Sequence, residues 1–382
     1  MILNTPQLLH QWMFETALPQ WADVGIDRVN GGPVESLSLD GRRPSGVAFK
    51  RMRVIARQTY VFSHAQVLGW PGAAAAADHC YAFLTRAGNG PEGRWPRLVT
   101  AQGSPLDETP DLYDYAFVLF ALGWRARATG EAEPPRFALA TLDVIEREFA
   151  HPLGLGFHHT VPPIGPRQQN PHMHLMEAAL VLAEVAHSQR FHDLADALAR
   201  LFTGHILPKA EGSVRENFTE DFKPAPNATG RRVEPGHMFE WAWILAQHSK
   251  LSGIDHRDIA QHLVAWAEKY GVCARNGLVY NAVSDRGMVL DSGSRTWPNT
   301  ERIKGWLALS ELSDVDPWPA VSTSLAVLSE RFLKPAPSGC WLDMIDGNGT
   351  HTGQTIPAST LYHLFLAFSE VLRIQTGRLP TE

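Results

Sequence analysis

Apolar residues recur at helical spacing along most of the chain, and the segments so marked are separated by stretches rich in Gly, Pro, Asn and Asp. Residues 6–21 carry Leu8, Leu9, Trp12, Met13 and Leu18 on this spacing, with Thr5 before Pro6 as the start signal. The same reading predicts helices over roughly 50–69, 71–85, 111–129, 134–149, 171–188, 191–205, 235–250, 257–270, 297–312, 315–332 and 357–376. That makes about twelve helices paired as hairpins, an all-α chain with short strands confined to loop excursions. The turn-rich 31–44 segment and a hairpin around Arg275-Asn276-Gly277 are two such excursions. No fixed sequence period is present, so the repeat rests on helix order and on where the candidate functional residues fall. Six hairpins closing into a ring give an (α/α)6 barrel, one catalytic domain over residues 1–382.

The polar residues that stand out all fall on even-numbered helices. Arg57 is on the second, Asp111 and Asp114 on the fourth, His174 and Glu177 on the sixth, His237 and Glu240 on the eighth, Glu301 on the tenth and His363 on the twelfth. In a closed ring alternate helices form the inner layer and run the same way, so the starts of these helices meet at one mouth. The local signals agree. Pro171 and Pro235 each suit a first helical turn, Glu234 suits the positive end of the helix dipole, and each helix then carries a His and a Glu three residues apart on one face.

Composition narrows the partner. A chain of 382 residues, 44% hydrophobic, is long enough to bury a large core. A net charge of -6 gives no footprint for nucleic acid or an anionic membrane, which leaves a small molecule as the partner. Cys80, Cys273 and Cys340 lie far apart without metal-site spacing, and neither a secretory leader nor a membrane span is legible, so a soluble cytoplasmic protein, monomer or homodimer, is expected. Twelve Trp, 17 His and seven Tyr suit a site for sugars.

His174, His237 and His363 titrate near neutral pH, which suits moving protons between carbon and oxygen, and Arg57 could hold charge developing on an enediolate oxygen. Two His-x-x-Glu pairs could instead ligate metal, although helical dimetal sites usually carry the reverse order, Glu-x-x-His. No phosphate loop and no G-x-S-x-G motif is present. Asp114 and Glu301 keep a two-carboxylate glycosidase open as a rival. A non-catalytic sugar or protein binding module is another.

Gly31-Gly32 with Glu35, Arg57-Gln58-Thr59, Asn170-Pro171-His172-Met173-His174, Glu234-Pro235-Gly236-His237 with Glu240-Trp241, Trp297-Pro298 with Glu301, and Tyr362-His363 together resemble the N-acylglucosamine 2-epimerase superfamily over nearly the whole chain. The resemblance implies an (α/α)6 barrel and a sugar 2-epimerase or aldose-ketose isomerase working with no redox cofactor and no catalytic metal. It implies His363 as the base that removes the C2 proton, His237 as its partner, Arg57 as the enediolate stabiliser, and Glu240 and Glu301 as residues that orient the histidines or bind hydroxyls. Asn170, His174 and Trp297 resemble substrate contacts, and Asp114 is taken as a further one. Arg57 could equally serve an internal salt bridge, Trp297 the core, and Asn170 a helix cap. The ending Pro357-Ala358-Ser359-Thr360-Leu361-Tyr362-His363-Leu364 resembles the mannose isomerase type. Interconversion of mannose and fructose is therefore expected, with lyxose and xylulose as a side reaction and a 2-epimerase as the rival. Loop arginines 42, 43, 231 and 232 could meet a phosphate, and the 211–232 loop is the candidate lid.

Overall fold

Thr5 accepts a hydrogen bond from the Leu8 N–H and Pro6 sets the first helical turn, so the chain enters its first helix where capping chemistry places it. The structure, a computed structural model, describes residue 3, residues 5–207 and residues 212–376. Twelve helical rods run through these residues. They are α1 (6–23), α2 (Met52–Val67), α3 (Ala73–Ala87), α4 (Leu112–Thr129), α5 (133–149), α6 (Asn170–Val185), α7 (189–206), α8 (Pro235–Ser252), α9 (Arg257–Gly271), α10 (Thr296–Leu312), α11 (318–333) and α12 (Thr360–Thr376).

The even-numbered helices pack in sequence, α2 on α4, then α6, α8, α10 and α12, and α12 returns to α2 to close the ring. Each odd helix packs outside its preceding neighbour, with α1 against α12. Side-chain patterning explains the layers. α4 is buried on nearly every face from Asp114 to Ala126, whereas α7 and α9 bury a stripe and expose the rest. The expected (α/α)6 architecture is the one observed.

Connections differ sharply at the two ends. Odd helices lead into even ones through long excursions, 24–51, 88–111, 150–169, 207–234, 272–295 and 334–359, while the return turns, such as 130–132 and 186–188, are a few residues long. All inner helices therefore begin at the end that carries the long loops. Short antiparallel strands tie neighbouring excursions together: Ser36–Leu37 pairs with Ile356–Pro357, joining the first to the last, and Arg167–Gln168 pairs with Asn217–Phe218. Arg232–Val233, Ala282–Ser284 and Val289–Asp291 make a three-stranded sheet. The hairpin expected around Arg275-Asn276-Gly277 reduces to one bridge between Val272 and Val279, with Gly277 at φ +73° in the turn. No helix among the described residues is long and apolar enough to cross a membrane.

Candidate active site

A cavity of about 160 Å³ opens at the mouth of the ring. Arg57 reaches it from α2, Asn170 and His174 from α6, His237 and Glu240 from α8, Trp297 from α10 and His363 from α12. Glu301 lies directly behind His363, fully buried, with its Oε1 2.8 Å from His363 Nδ1. Asp114 is not part of this wall. It is buried on the far side of Arg53, accepting that residue's backbone N–H at 3.0 Å, and burial pushes its carboxyl up to about 7 against the pull of Arg53. Its place one turn into α4, after the Asp111 cap, turns it toward α2 rather than toward the ring axis. The pairing of Asp114 with Glu301 as flanking carboxylates is thereby corrected, since neither lines the cavity.

The two His-x-x-Glu pairs behave differently. His174 Nδ1 meets Glu177 Oε2 at 3.0 Å, and the Tyr362 hydroxyl donates to both Glu177 oxygens at 2.6 and 2.7 Å. His237 does not use Glu240. Its Nδ1 points back toward the helix start, as side chains on a helix lean, and meets Glu216 Oε2 at 2.9 Å, with Glu234 at 3.9 Å. Glu240 faces deeper, 3.7 Å from the Lys304 ammonium, and both its oxygens are buried without a hydrogen-bond partner. Glu216, Lys304, Tyr113 and Arg295 are the contributors that sequence reasoning missed. Lys304 stands three residues after Glu301, a spacing that puts the two on one helical face, so that signal was present.

Below the cavity the ring axis holds charge. Lys304 Nζ lies 2.6 Å from Glu301 Oε2 and 4.4 Å above the Trp243 ring. Burial works against this ammonium, yet Glu301, Glu240 and Glu177 outweigh it and its pKa rises. Burial and Glu240 raise Glu301 as well, with Lys304 opposing. A buried ammonium that stays charged requires an anion in contact, so Glu301 is the carboxylate of this pair. It accordingly accepts the Nδ1–H of His363 and leaves Nε2 of that ring as the free base.

The two imidazoles on the wall are driven in opposite directions. Burial, followed by the charges of Arg57 and Lys304, holds His363 well below the ordinary imidazole range, so it is neutral at pH 7. Burial also opposes protonation of His237, but the Glu216 carboxylate, with Glu234 and Glu240, overcomes it and pushes the ring up to about 9. Both rings stand beside Trp297, at centroid distances of 4.9 Å for His237 and 5.7 Å for His363. His174, held down to about 3 chiefly by burial, is a neutral hydrogen-bonding group. Arg57 stacks 4.0 Å over Phe117, donates to the Tyr113 hydroxyl at 2.8 Å, and has no carboxylate partner among the described residues. Its guanidinium is thus a free cation at the cavity rather than half of an internal salt bridge. Asn170 opens α6 with a buried Oδ1 that has no partner, and Trp297 is half-buried, so neither is spent as a cap or in the core.

His174, Glu177 and Glu240, and likewise Glu240, Glu301 and His363, bring ligand atoms within 4.8 Å of one another. Most are already committed, Glu177 to Tyr362 and Glu301 to Lys304 and His363, and the lysine ammonium takes the cation position between Glu240 and Glu301. Of the loop arginines, Arg231 pairs with Asp285 and Arg232 with Glu234. Arg295 is the loop-end arginine that lines the cavity, with its side chain 49% exposed and Asp343 3.8 Å away. The 212–232 stretch of the candidate lid contributes Glu216, and residue 211 lies outside the described residues.

The sequence profile of N-acylglucosamine 2-epimerase (GlcNAc 2-epimerase) matches residues 32–367. The mannose-6-phosphate isomerase of Rhizobium meliloti (strain 1021) is 34% identical over 373 residues, which span 94% of this chain and 95% of that protein. A D-mannose isomerase of Marinomonas mediterranea is 27% identical over 322 residues, 79% of this chain and 80% of that one. The crystal structure of a D-mannose isomerase superposes with a TM-score of 0.86 at 21% identity, covering 98% of this chain and 99% of that one, a likeness of fold. The chain belongs to the N-acylglucosamine 2-epimerase family, as a sugar isomerase or 2-epimerase.

Proposed function

We propose that the chain interconverts D-mannose and D-fructose by proton transfer through a cis-enediolate, without a metal. The observation that carries this is the placement of two imidazoles beside one Trp ring in opposed surroundings, His237 against the Glu216 carboxylate and His363 near the cations Arg57 and Lys304, since groups whose environments drive their pKa values apart divide the acid and base roles between them. The His237 imidazolium donates its Nε2 proton to the ring oxygen as the bond from C1 to that oxygen breaks, and the O1 hydroxyl proton returns to the same nitrogen, so the sugar opens to its aldehyde. His363 Nε2 then takes the C2 proton, the electron pair moves onto O1, and Arg57 meets the charge that grows there. The His363 imidazolium formed in that step returns the proton to C1 on the same face while the O2 hydroxyl proton passes to O1, and the open-chain ketose results. A single neutral base suffices for this, whereas epimerisation at C2 needs a proton delivered to the opposite face. The cavity, about 160 Å³, falls below the roughly 300–1,000 Å³ of pockets for larger ligands and fits one sugar ring.

A second reading, D-mannose 6-phosphate as substrate, is favoured by Arg295, a half-exposed guanidinium at the cavity rim whose one ion pair among the described residues is with Asp343 at 3.8 Å. The relative named mannose-6-phosphate isomerase points the same way. One experiment addresses both. EDTA-treated protein is followed by proton NMR in deuterated water with mannose, then with mannose 6-phosphate. Fructose appearing from mannose supports the proposal, and turnover of the phosphorylated sugar alone supports the second reading. Glucose bearing deuterium at C2 as first product would make the chain a 2-epimerase, and activity lost to EDTA and restored by a divalent ion would refute the metal-free course.

A further inference from the structure

We infer that Glu216, on the excursion between α7 and α8, is the positioning residue that holds His237 as a proton donor with its Nε2–H turned to the cavity. The inference rests on the acid role just proposed for His237, and its geometry is independent of which sugar is bound.

Glu216 reaches His237 from a separate part of the chain. The pairing of Asn217–Phe218 with Arg167–Gln168 anchors the segment next to the start of α6, and there Glu216 is only 8% exposed. Each carboxylate oxygen has a task. Oε1 accepts the backbone N–H of Glu234 at 3.1 Å, which fixes the residue that caps α8. Oε2 receives His237 Nδ1 at 2.9 Å and the Gln169 amide at 3.0 Å. Gln169 is itself oriented by Trp241, whose indole N–H donates to its Oε1 at 2.6 Å. With that carbonyl oxygen occupied, the Gln169 amide nitrogen is the group that faces His237 at 3.1 Å, and a donor there cannot accept the imidazole proton. The Nδ1–H can therefore be received only by Glu216, and the other nitrogen is presented to the cavity.

The charged and titratable groups about His237 and the cavity it faces are Glu216 and Glu234 from the excursion, Glu240 from its own helix, His174 from α6, Tyr113 from α4, His363 from α12, Arg57 from α2, and Arg295 just before α10. Glu216 is the one carboxylate in hydrogen-bond contact; Glu234 stands at 3.9 Å and is engaged by Arg232. Glu216→Gln keeps the shape and removes the charge, so the ring should fall from about 9 toward its ordinary 6.5. At pH 8 the protonated fraction, and with it turnover, then drops by about 30-fold, and at pH 6 it returns to within about twofold of the parent enzyme. A merely structural role for Glu216 would lower activity evenly across pH.

The deciding measurement is made without sugar. The 15N-histidine NMR spectrum of the full chain is titrated from pH 5 to 10, with the His237 signal assigned through its loss in His237→Gln. Expected is a doubly protonated His237 at pH 8 in the parent chain and a neutral ring in Glu216→Gln. A ring already neutral at pH 8 in the parent, or one whose titration is unmoved by the substitution, would overturn the inference. Should Glu216→Gln not fold, the parent titration still decides. A protonated His237 held by Glu216 in a chain that turns over no aldose would leave this inference standing while the isomerase reading fell.

Discussion

At the scale of single residues, the proposed reaction divides its work between one free base and one held acid, and His363 offers the sharper test. Replacing it with Asn keeps a hydrogen-bonding group against Glu301 but removes the lone pair on Nε2, so kcat for the sugar should fall by roughly 10²–10⁴-fold. Sugar affinity, read by calorimetry, should stay within several-fold, because Trp297, His174 and Asn170 are untouched. Equal loss of affinity and turnover would mean that His363 binds rather than reacts. Residues of this kind were legible in the sequence because each rides near the start of a helix whose order in the ring could be counted: His174 and His237 follow a Pro by a few positions, and His363 follows the 357–362 entry to α12. Glu216 was not legible. It sits in a polar loop, and only the strand pairing with residues 167–168, more than forty positions away, brings it to His237. Glu240 misled for the opposite reason: helical spacing placed it on the face of His237, but spacing does not say that the imidazole leans toward the helix start while the carboxylate leans toward Lys304.

At the scale of elements, the contact between the first turns of α8 and α10 sets the wall of the cavity. Gly236, one residue before His237, has no room for a side chain: a Cβ there would lie 2.5 Å from the Trp297 ring and 2.8 Å from Pro298 Cβ. The Gly236→Ala chain should therefore push the indole into the cavity or lever the two helices apart. A stability loss of about 1–3 kcal/mol is expected in denaturant unfolding, together with a raised KM. An unaltered KM would show that Trp297 does not touch the sugar. The helices themselves were readable from periodicity to within a few residues, because each inner helix is long; at α4 the start is also marked by Asp111, which accepts from the Tyr113 N–H at 2.9 Å, and at α6 and α8 by a Pro in the first turn. The strands between them were not, as each is two or three residues long and most are specified by a partner from another excursion.

At the scale of the whole molecule, α6, α8, α10 and α12 all send charge or hydrogen-bonding groups to a common axis where Lys304 is the central cation. Lys304→Met leaves Glu177, Glu240 and Glu301 without that counter-charge, and a loss of about 3–5 kcal/mol is expected in equilibrium unfolding. The double variant Lys304→Met/Glu301→Gln should recover part of it, which a mutant cycle would measure. A loss under about 1 kcal/mol for the single change would mean that the carboxyls of the axis are protonated and the lysine is not their partner.

The long excursions gathered at one end and the short turns at the other also divide the molecule's inheritance. His363, the proposed base, and the Glu301 and Lys304 pair behind it belong to helices packed on both sides within the ring, so a change there is felt in the stability of the whole. Groups such as Arg295 belong to loop ends, which can lengthen, shorten or change charge without disturbing a helix seam. A frame divided this way lets the rim be edited toward a different sugar while the proposed proton chemistry beneath keeps its supports.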